Sequence, residues 1–233
     1  MLVSARREKM LRQLGKLTHP ITPRPFTLGE EVFHSITHGI GSGLSIAGLT
    51  LLVVLAVFFG DVYQIVSFSI FGVSLVLLYL SSTLYHGIQQ PRIKHVFKIF
   101  DHASIYLLIA GSYTPFLLVG LGGSTGWTFL FIVWGIALFG VVFKIFFIER
   151  FQVLSVVTYL LMGWLCVFIF REMVTSIPLG AIIWLAVGGL FYTVGVIFYA
   201  LQKIPYMHAV WHFFVLGGSI CHFFAVLLYL APL

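Results

Sequence analysis

The sequence predicts an all-α integral membrane protein, built as a bundle of seven transmembrane helices. Three observations predict this class: the composition, the apolar runs along the chain and the distribution of basic residues. Of the 233 residues, 60% are hydrophobic and 9% are charged, and the mean hydropathy is +1.08. Soluble domains carry about 25% charged residues, and a soluble core cannot bury this much apolar surface. The composition therefore excludes a soluble globular protein.

The apolar runs define the predicted spans. A helix needs about 20 predominantly apolar residues to cross roughly 30 Å of hydrocarbon. Runs of this kind lie at about residues 34–58, 64–87, 99–121, 127–147, 152–170, 178–200 and 206–230. Because the connections between them are short, we expect a single transmembrane domain over residues 30–233.

Basic residues predict the orientation of this bundle. Residues 1–29 form a basic arm with no apolar core and no small-residue cleavage site, so the arm is not a signal peptide. With the arm in the cytoplasm, seven spans place the C-terminus outside. Of the 13 lysines and arginines, all except Arg171 then fall on the cytoplasmic side, as the positive-inside rule requires. We expect the arm to contact anionic lipid rather than nucleic acid.

Ionisable residues gather at one end of the predicted bundle. The first span opens with EEVFHSITHG and the second ends with SSTLYHG, while the third opens with FDHASIY and the seventh with YMHAVWH. Since consecutive spans alternate in direction, all four stretches lie in the cytoplasmic leaflet. The residues that they bring to one level are Glu31, His34, His38, Ser82, His86, Asp101, His208 and His212.

The spacing of these histidines indicates a metal site. His208 and His212 are four residues apart, so they share one helix face at about 6 Å. Two imidazoles on one helix, with His86 on a neighbouring helix, match a three-histidine zinc site that keeps a fourth position open for water. A divalent cation would also compensate the charge of Asp101 inside the membrane. We therefore predict zinc bound by His86, His208 and His212.

The four motifs together closely resemble those of the hemolysin III branch of the progestin and adipoQ receptor family, over nearly the whole chain from about residue 27. This family is similar in turn to alkaline ceramidases, within a proposed superfamily of membrane metal-dependent hydrolases. The resemblance implies an intramembrane zinc near the cytoplasmic side of a bacterial cell membrane. By motif, SxxxH corresponds to Ser82 and His86, the third-span aspartate to Asp101, and HxxxH to His208 and His212.

The predicted function is zinc-dependent hydrolysis of a lipid amide or ester, with membrane lipids as both environment and substrate. Asp101 would act as general base and Ser82 would orient the water or the developing oxyanion. The residues expected around the ligands, as supports or as a proton route, are Glu31, His34 and His38.

Two other functions stay open. In a receptor or membrane-state sensor, the zinc would be structural and would tighten the helix bundle. A pore-forming or channel-like hemolysin would need polar residues along the full depth of several spans. The outer half of these spans consists mainly of Phe, Leu, Val and Ile, which disfavours the pore. The sequence does not identify a protein partner.

The charge distribution generates a prediction about the two termini. Single cysteines introduced as Ala5→Cys and Pro232→Cys, in a background without Cys166 and Cys221, should react from opposite sides of the membrane. An impermeant thiol reagent applied to intact cells should label position 232 and leave position 5 unlabelled until the cells are opened. Labelling of both positions from the same side would contradict an odd number of spans.

Overall fold

The computed structural model describes residues 25–232, and this part of the chain is helical, with no strand among the described residues. Seven helices in it are long and apolar enough to cross a membrane: Leu28–Phe59, Val62–Gly87, Pro91–Leu121, Gly123–Phe147, Gln152–Ser176, Leu179–Ala200 and Met207–Tyr229. We call them the first to the seventh span. The predicted all-α bundle with seven spans is confirmed. Most of the predicted basic arm, residues 1–24, lies outside the described residues.

Polar caps determine where the first three spans begin. The first starts at Leu28 rather than near residue 34, because Thr27 and Glu30 form a reciprocal capping box. The Thr27 hydroxyl accepts from the backbone N–H of Glu30 at 3.3 Å, and the Glu30 carboxylate accepts from the N–H of Thr27 at 3.0 Å. Asp61 and Gln64 form the same box before the second span, and Gln90 caps the third. The early start of the first helix brings Glu31 into regular helix.

Two spans depart from regular α-helix in the half of the bundle away from the histidine motifs. The third span passes into a π-helical turn, Phe116–Leu121, directly after Pro115. The fifth is interrupted by the 3₁₀ segment Leu165–Ile169. The Tyr113 hydroxyl stabilises this interruption, since it donates to the carbonyl of Gly163 at 2.6 Å and accepts from the N–H of Cys166 at 3.0 Å. A side chain of the third span thus replaces helix hydrogen bonds that the fifth span lacks.

The spans form a closed arrangement. Consecutive spans pack side by side from the first to the fourth, the sixth packs on the seventh, and the seventh returns to the first. The fifth lies against the third, fourth and sixth. This order places the beginnings of the first, third and seventh spans and the end of the second at one end of the bundle. We call it the histidine end.

A glycine permits close packing of the fourth span on the third. An ideal Cβ at Gly140 would lie 2.5 Å from ring carbons of Tyr106, whereas a Cβ at Gly135 on the same helix would meet nothing within 4 Å. Tyr106 is buried at 2% exposure, so its ring has little room to move. Close approach of small residues is how helices gain contact in lipid.

These two glycines provide a matched test of that packing. Gly140→Ala should destabilise the bundle by about 1–3 kcal/mol relative to Gly135→Ala, because overpacking forces neighbouring groups apart. Both changes raise helix propensity equally, so their difference isolates the contact with Tyr106. Thermal unfolding of the two purified variants in the same detergent gives the comparison. Equal midpoints would show that the third and fourth spans are not packed as described.

Candidate metal centre

Three buried histidines from three different spans meet at the histidine end. His34 of the first span, His86 of the second and His208 of the seventh each offer one ring nitrogen, and these nitrogens all lie within 4.8 Å of one another. In tetrahedral zinc sites, bonds of 2.0–2.1 Å separate the ligand nitrogens by about 3.3 Å. Modest ring rotations would therefore bring the three nitrogens to a common ion.

A fourth imidazole lies against this group. The ring centroid of His212 is 4.7 Å from that of His208, 5.1 Å from His34 and 5.3 Å from His86. The Thr37 hydroxyl donates to the carbonyl of His34 at 2.9 Å, and its oxygen lies 3.2 Å from Nδ1 of His212. Since that hydroxyl has one proton, it accepts from Nδ1–H, and Nε2 of His212 keeps its lone pair. This is the tautomer that a metal ligand needs.

The Glu31 carboxylate orients His86. Oε2 of Glu31 lies 2.7 Å from Nδ1 of His86, and its Oε1 lies 2.9 Å from Nζ of Lys94. The imidazole N–H donates to the carboxylate, so the lone pair resides on Nε2. This Nε2 is buried, and no group in residues 25–232 hydrogen-bonds to it. A carboxylate that orients a histidine in this way is the usual support of a metal ligand, so the residues present fit a bound metal.

The structure also brings the other predicted residues to this end. The His38 ring stacks on the His212 ring, with centroids 3.5 Å apart and planes at 13°. Ser82 and Asp101 line a cavity together with His208 and His212. The Ser82 hydroxyl interacts with the Asp101 carboxylate.

The histidines that the structure groups together differ from the predicted ligand set, in which His34 lies around the ligands. The structure groups its ring nitrogen directly with those of His86 and His208, so His34 is a candidate ligand itself. The assignment of His212 stays a prediction. Thr37 was missed, although its position three residues after His34 on the same helix face was a usable signal.

Phe26 closes the histidine end, and sequence patterns gave no sign of this. Its ring centroid lies 4.8 Å from that of His34, 5.0 Å from His208 and 5.8 Å from His86. Glu30 holds the start of the first span beside the seventh, because its Oε1 accepts from the backbone N–H of Tyr206 at 2.9 Å. With the first span held in this position, the Phe26 ring shields the imidazoles of these three histidines.

A cavity of about 360 Å³ leads away from the cluster into the bundle. Ligand pockets commonly have volumes of about 300–1,000 Å³. Beyond His208, His212 and Asp101, its walls are mainly apolar side chains of the third, fifth, sixth and seventh spans. Trp164 and Val167 of the fifth span also line it, although they are 40% and 58% exposed. The cavity therefore reaches the lipid-facing surface of the protein near these two residues.

The fold and the site define a class: a multi-pass membrane protein whose buried histidine cluster can hold a metal ion. The family profile described as "Haemolysin-III related" matches residues 26–223. The chain belongs to this family, as the motifs had indicated.

Individual relatives agree with the family assignment. The chain is 52% identical over 204 residues to the "Hemolysin-3 homolog" of Bacillus subtilis (strain 168), which covers 88% of this chain and 96% of that relative. It is 45% identical over 216 residues to "Hemolysin-3" of Bacillus cereus, at coverages of 93% and 99%. The human "Monocyte to macrophage differentiation factor" is 29% identical over 210 residues, at coverages of 88% and 86%. A multi-pass membrane location is thereby confirmed.

The cluster generates a prediction about metal content. Protein purified with zinc should contain one zinc per chain, and both His86→Ala and His208→Ala should lose it, because each candidate ligand set contains these two residues. Elemental analysis after dialysis against a mild chelator measures the loss. His222→Ala is the matched control, since His222 lies on the seventh span but contacts the carbonyl of Leu185 instead, at 3.4 Å. Full occupancy in His86→Ala would disprove the site.

The same measurement separates the two ligand sets. Loss of zinc in His212→Ala with retention in His34→Ala supports the predicted set. The reverse result supports the three nitrogens that lie within 4.8 Å of one another. Loss in both variants indicates that all four imidazoles hold the ion.

Proposed function

We propose that this protein is a zinc-dependent hydrolase that cleaves an amide or ester bond of a membrane lipid. One observation carries the proposal. A single cavity is lined at one end by His208, His212 and Asp101 and reaches the lipid-facing surface at the fifth span. A lipid entering there meets His208 and His212, two of the four candidate ligands, without leaving the membrane.

The residues of this chain have separate roles in the proposed reaction. Zinc, when bound, supplies Lewis-acid activation of a carbonyl and of water. Asp101 accepts a proton from the attacking water as the oxygen adds to the carbonyl carbon, and returns it to the leaving amine or alcohol. The products are a fatty acid and the amine or alcohol. Ser82 orients the Asp101 carboxylate, with which its hydroxyl interacts.

The surrounding groups hold the ligands and exclude water. Glu31 keeps Nε2 of His86 available, and Thr37 does the same for His212. Phe26 covers the cluster at the histidine end, so water reaches the cavity less freely from that side. A site that admits the attacking water but little bulk water strengthens electrostatic interactions with the developing charge.

A second function is a receptor or membrane-state sensor with structural zinc. It is favoured by the presence of four imidazoles, since four protein ligands are typical of structural zinc sites. The names of the bacterial relatives suggest a third function, lysis by a pore. The mainly apolar walls of the cavity beyond the cluster argue against a polar path through the bundle.

Asp101 distinguishes catalysis from a structural role. Asp101→Asn keeps the side-chain shape and removes the base, so zinc-dependent release of fatty acid should fall by about a hundredfold or more. The assay incubates zinc-loaded, reconstituted protein with a panel of amide-linked and ester-linked lipids and measures released fatty acid. Glu172→Gln is the control, because Glu172 is an exposed carboxylate on the fifth span.

The outcomes separate the two candidate functions. Equal release by wild type and Asp101→Asn would remove Asp101 from the mechanism. If wild type releases no fatty acid, and Asp101→Asn lowers the thermal midpoint or zinc retention, the structural role is favoured instead.

A further inference from the structure

Lys144 lies in the last turn of the fourth span, and its side chain is buried at 1% exposure. The residue as a whole is almost fully buried, although its nitrogen is not among the fully buried polar atoms that lack a partner. An ammonium group in such surroundings is destabilising unless an anion is paired with it. Among residues 25–232, no hydrogen bond or ion pair involves this ammonium group. Ionisable residues inside a membrane protein commonly mark functional sites. We therefore expect an anion from outside the chain to bind the Lys144 ammonium group.

The neighbouring side chains leave this charge uncompensated. The charged groups that influence Lys144 are Lys98 and Glu149. The Glu149 carboxylate is already engaged, since its Oε1 accepts from Nζ of Lys98 at 2.8 Å, and Nδ1 of His95 lies 4.0 Å from the same oxygen. One carboxylate therefore faces two lysines and a histidine, and an additional anion would be stabilised there.

The location of Lys98 and Lys144 indicates what kind of molecule would carry the anion. Lys98 lines the cavity, and apolar side chains of the third and fifth spans, among them Ile105, Ile109 and Val156, line it as well. The Glu149 side chain is 58% exposed, so the group formed by Lys98, Lys144 and Glu149 lies at the surface of the histidine end, at the depth of lipid headgroups. Positive charge beside an apolar wall suits a molecule with an anionic head and an acyl chain.

We propose that Lys98 of the third span and Lys144 of the fourth span bind the phosphate of an anionic phospholipid at the histidine end, with its acyl chain along the apolar wall of the third and fifth spans. Lysine ammonium groups bind phosphate as point charges. Anionic phospholipids are enriched in the cytoplasmic leaflet, where the distribution of basic residues predicts the histidine end to lie. A free phosphate ion offers the same charge, but it lacks the chain that the apolar wall would hold. The phosphate contacts involve none of the candidate metal ligands, although the acyl chain would lie in the cavity that also reaches the histidine cluster. The test of this site does not require hydrolysis.

The test measures thermal unfolding of purified full-length protein in a neutral detergent, with and without added ligand. The ligands are phosphatidylglycerol, phosphatidylcholine with the same acyl chains, and inorganic phosphate. Phosphatidylglycerol should raise the unfolding midpoint of wild type, phosphatidylcholine should raise it less, and inorganic phosphate should leave it unchanged. Lys144→Met should lose at least half of the increment from phosphatidylglycerol. The control Lys203→Met changes an exposed lysine and should keep the full increment.

A structural role for Lys144 predicts a different pattern. If the ammonium only stabilises the fold, Lys144→Met lowers the midpoint by the same amount with and without lipid. The proposal expects the lipid-free variant to be at least as stable as wild type, because an unpaired buried charge has been removed. Equal increments in wild type and Lys144→Met would overturn it, and so would an equal increment from inorganic phosphate. If Lys144→Met does not fold, the same increments of the unfolding midpoint are measured for Lys98→Met, which should also lose at least half of the increment from phosphatidylglycerol.

Discussion

The Glu31 carboxylate is the interaction on which the arrangement of the histidine end depends. It accepts from Nδ1 of His86 at 2.7 Å and from Nζ of Lys94 at 2.9 Å, so one side chain of the first span joins the second and third. An isolated carboxylate at this depth would be destabilising, and two donors compensate it. The register of the first helix follows from this contact, and that register places His34 and Thr37 beside the seventh span.

The two ends of the bundle differ in how tightly they are built. Ion pairs and stacked imidazoles fill the histidine end, whereas deeper in the bundle the fifth span breaks its helix and relies on Tyr113 of the third span for hydrogen bonds. An interrupted helix cannot pack as regularly as a continuous one. The cavity passes along this span and reaches the lipid-facing surface at Trp164 and Val167. The same irregularity therefore leaves a route between the lipid and the cluster.

Two lysines at the histidine end differ in the partners that the protein gives them. The ammonium group of Lys94 binds a carboxylate within the protein and also the carbonyl of Tyr85, at 2.9 Å each. Lys144 is more deeply buried, and its neighbour Glu149 is bound to Lys98. The first arrangement stabilises the fold by itself. In the proposed lipid site, an anionic lipid would compensate the charge of Lys144, and the stability of the fourth span would then depend on the surrounding membrane.

The sequence by itself determined the number of spans and the depth of the motifs, because hydropathy is a local property and helix rise converts residue number into depth. It thereby brought His86, Asp101 and His208 to one level. Depth does not specify how each helix is rotated about its axis or which spans are neighbours. Only the tertiary structure decided these, and so it alone placed His34 beside His86 and His208, paired Glu31 with Lys94, and laid Phe26 across the cluster. Such contacts join residues far apart in the chain, and no periodicity within one helix encodes them.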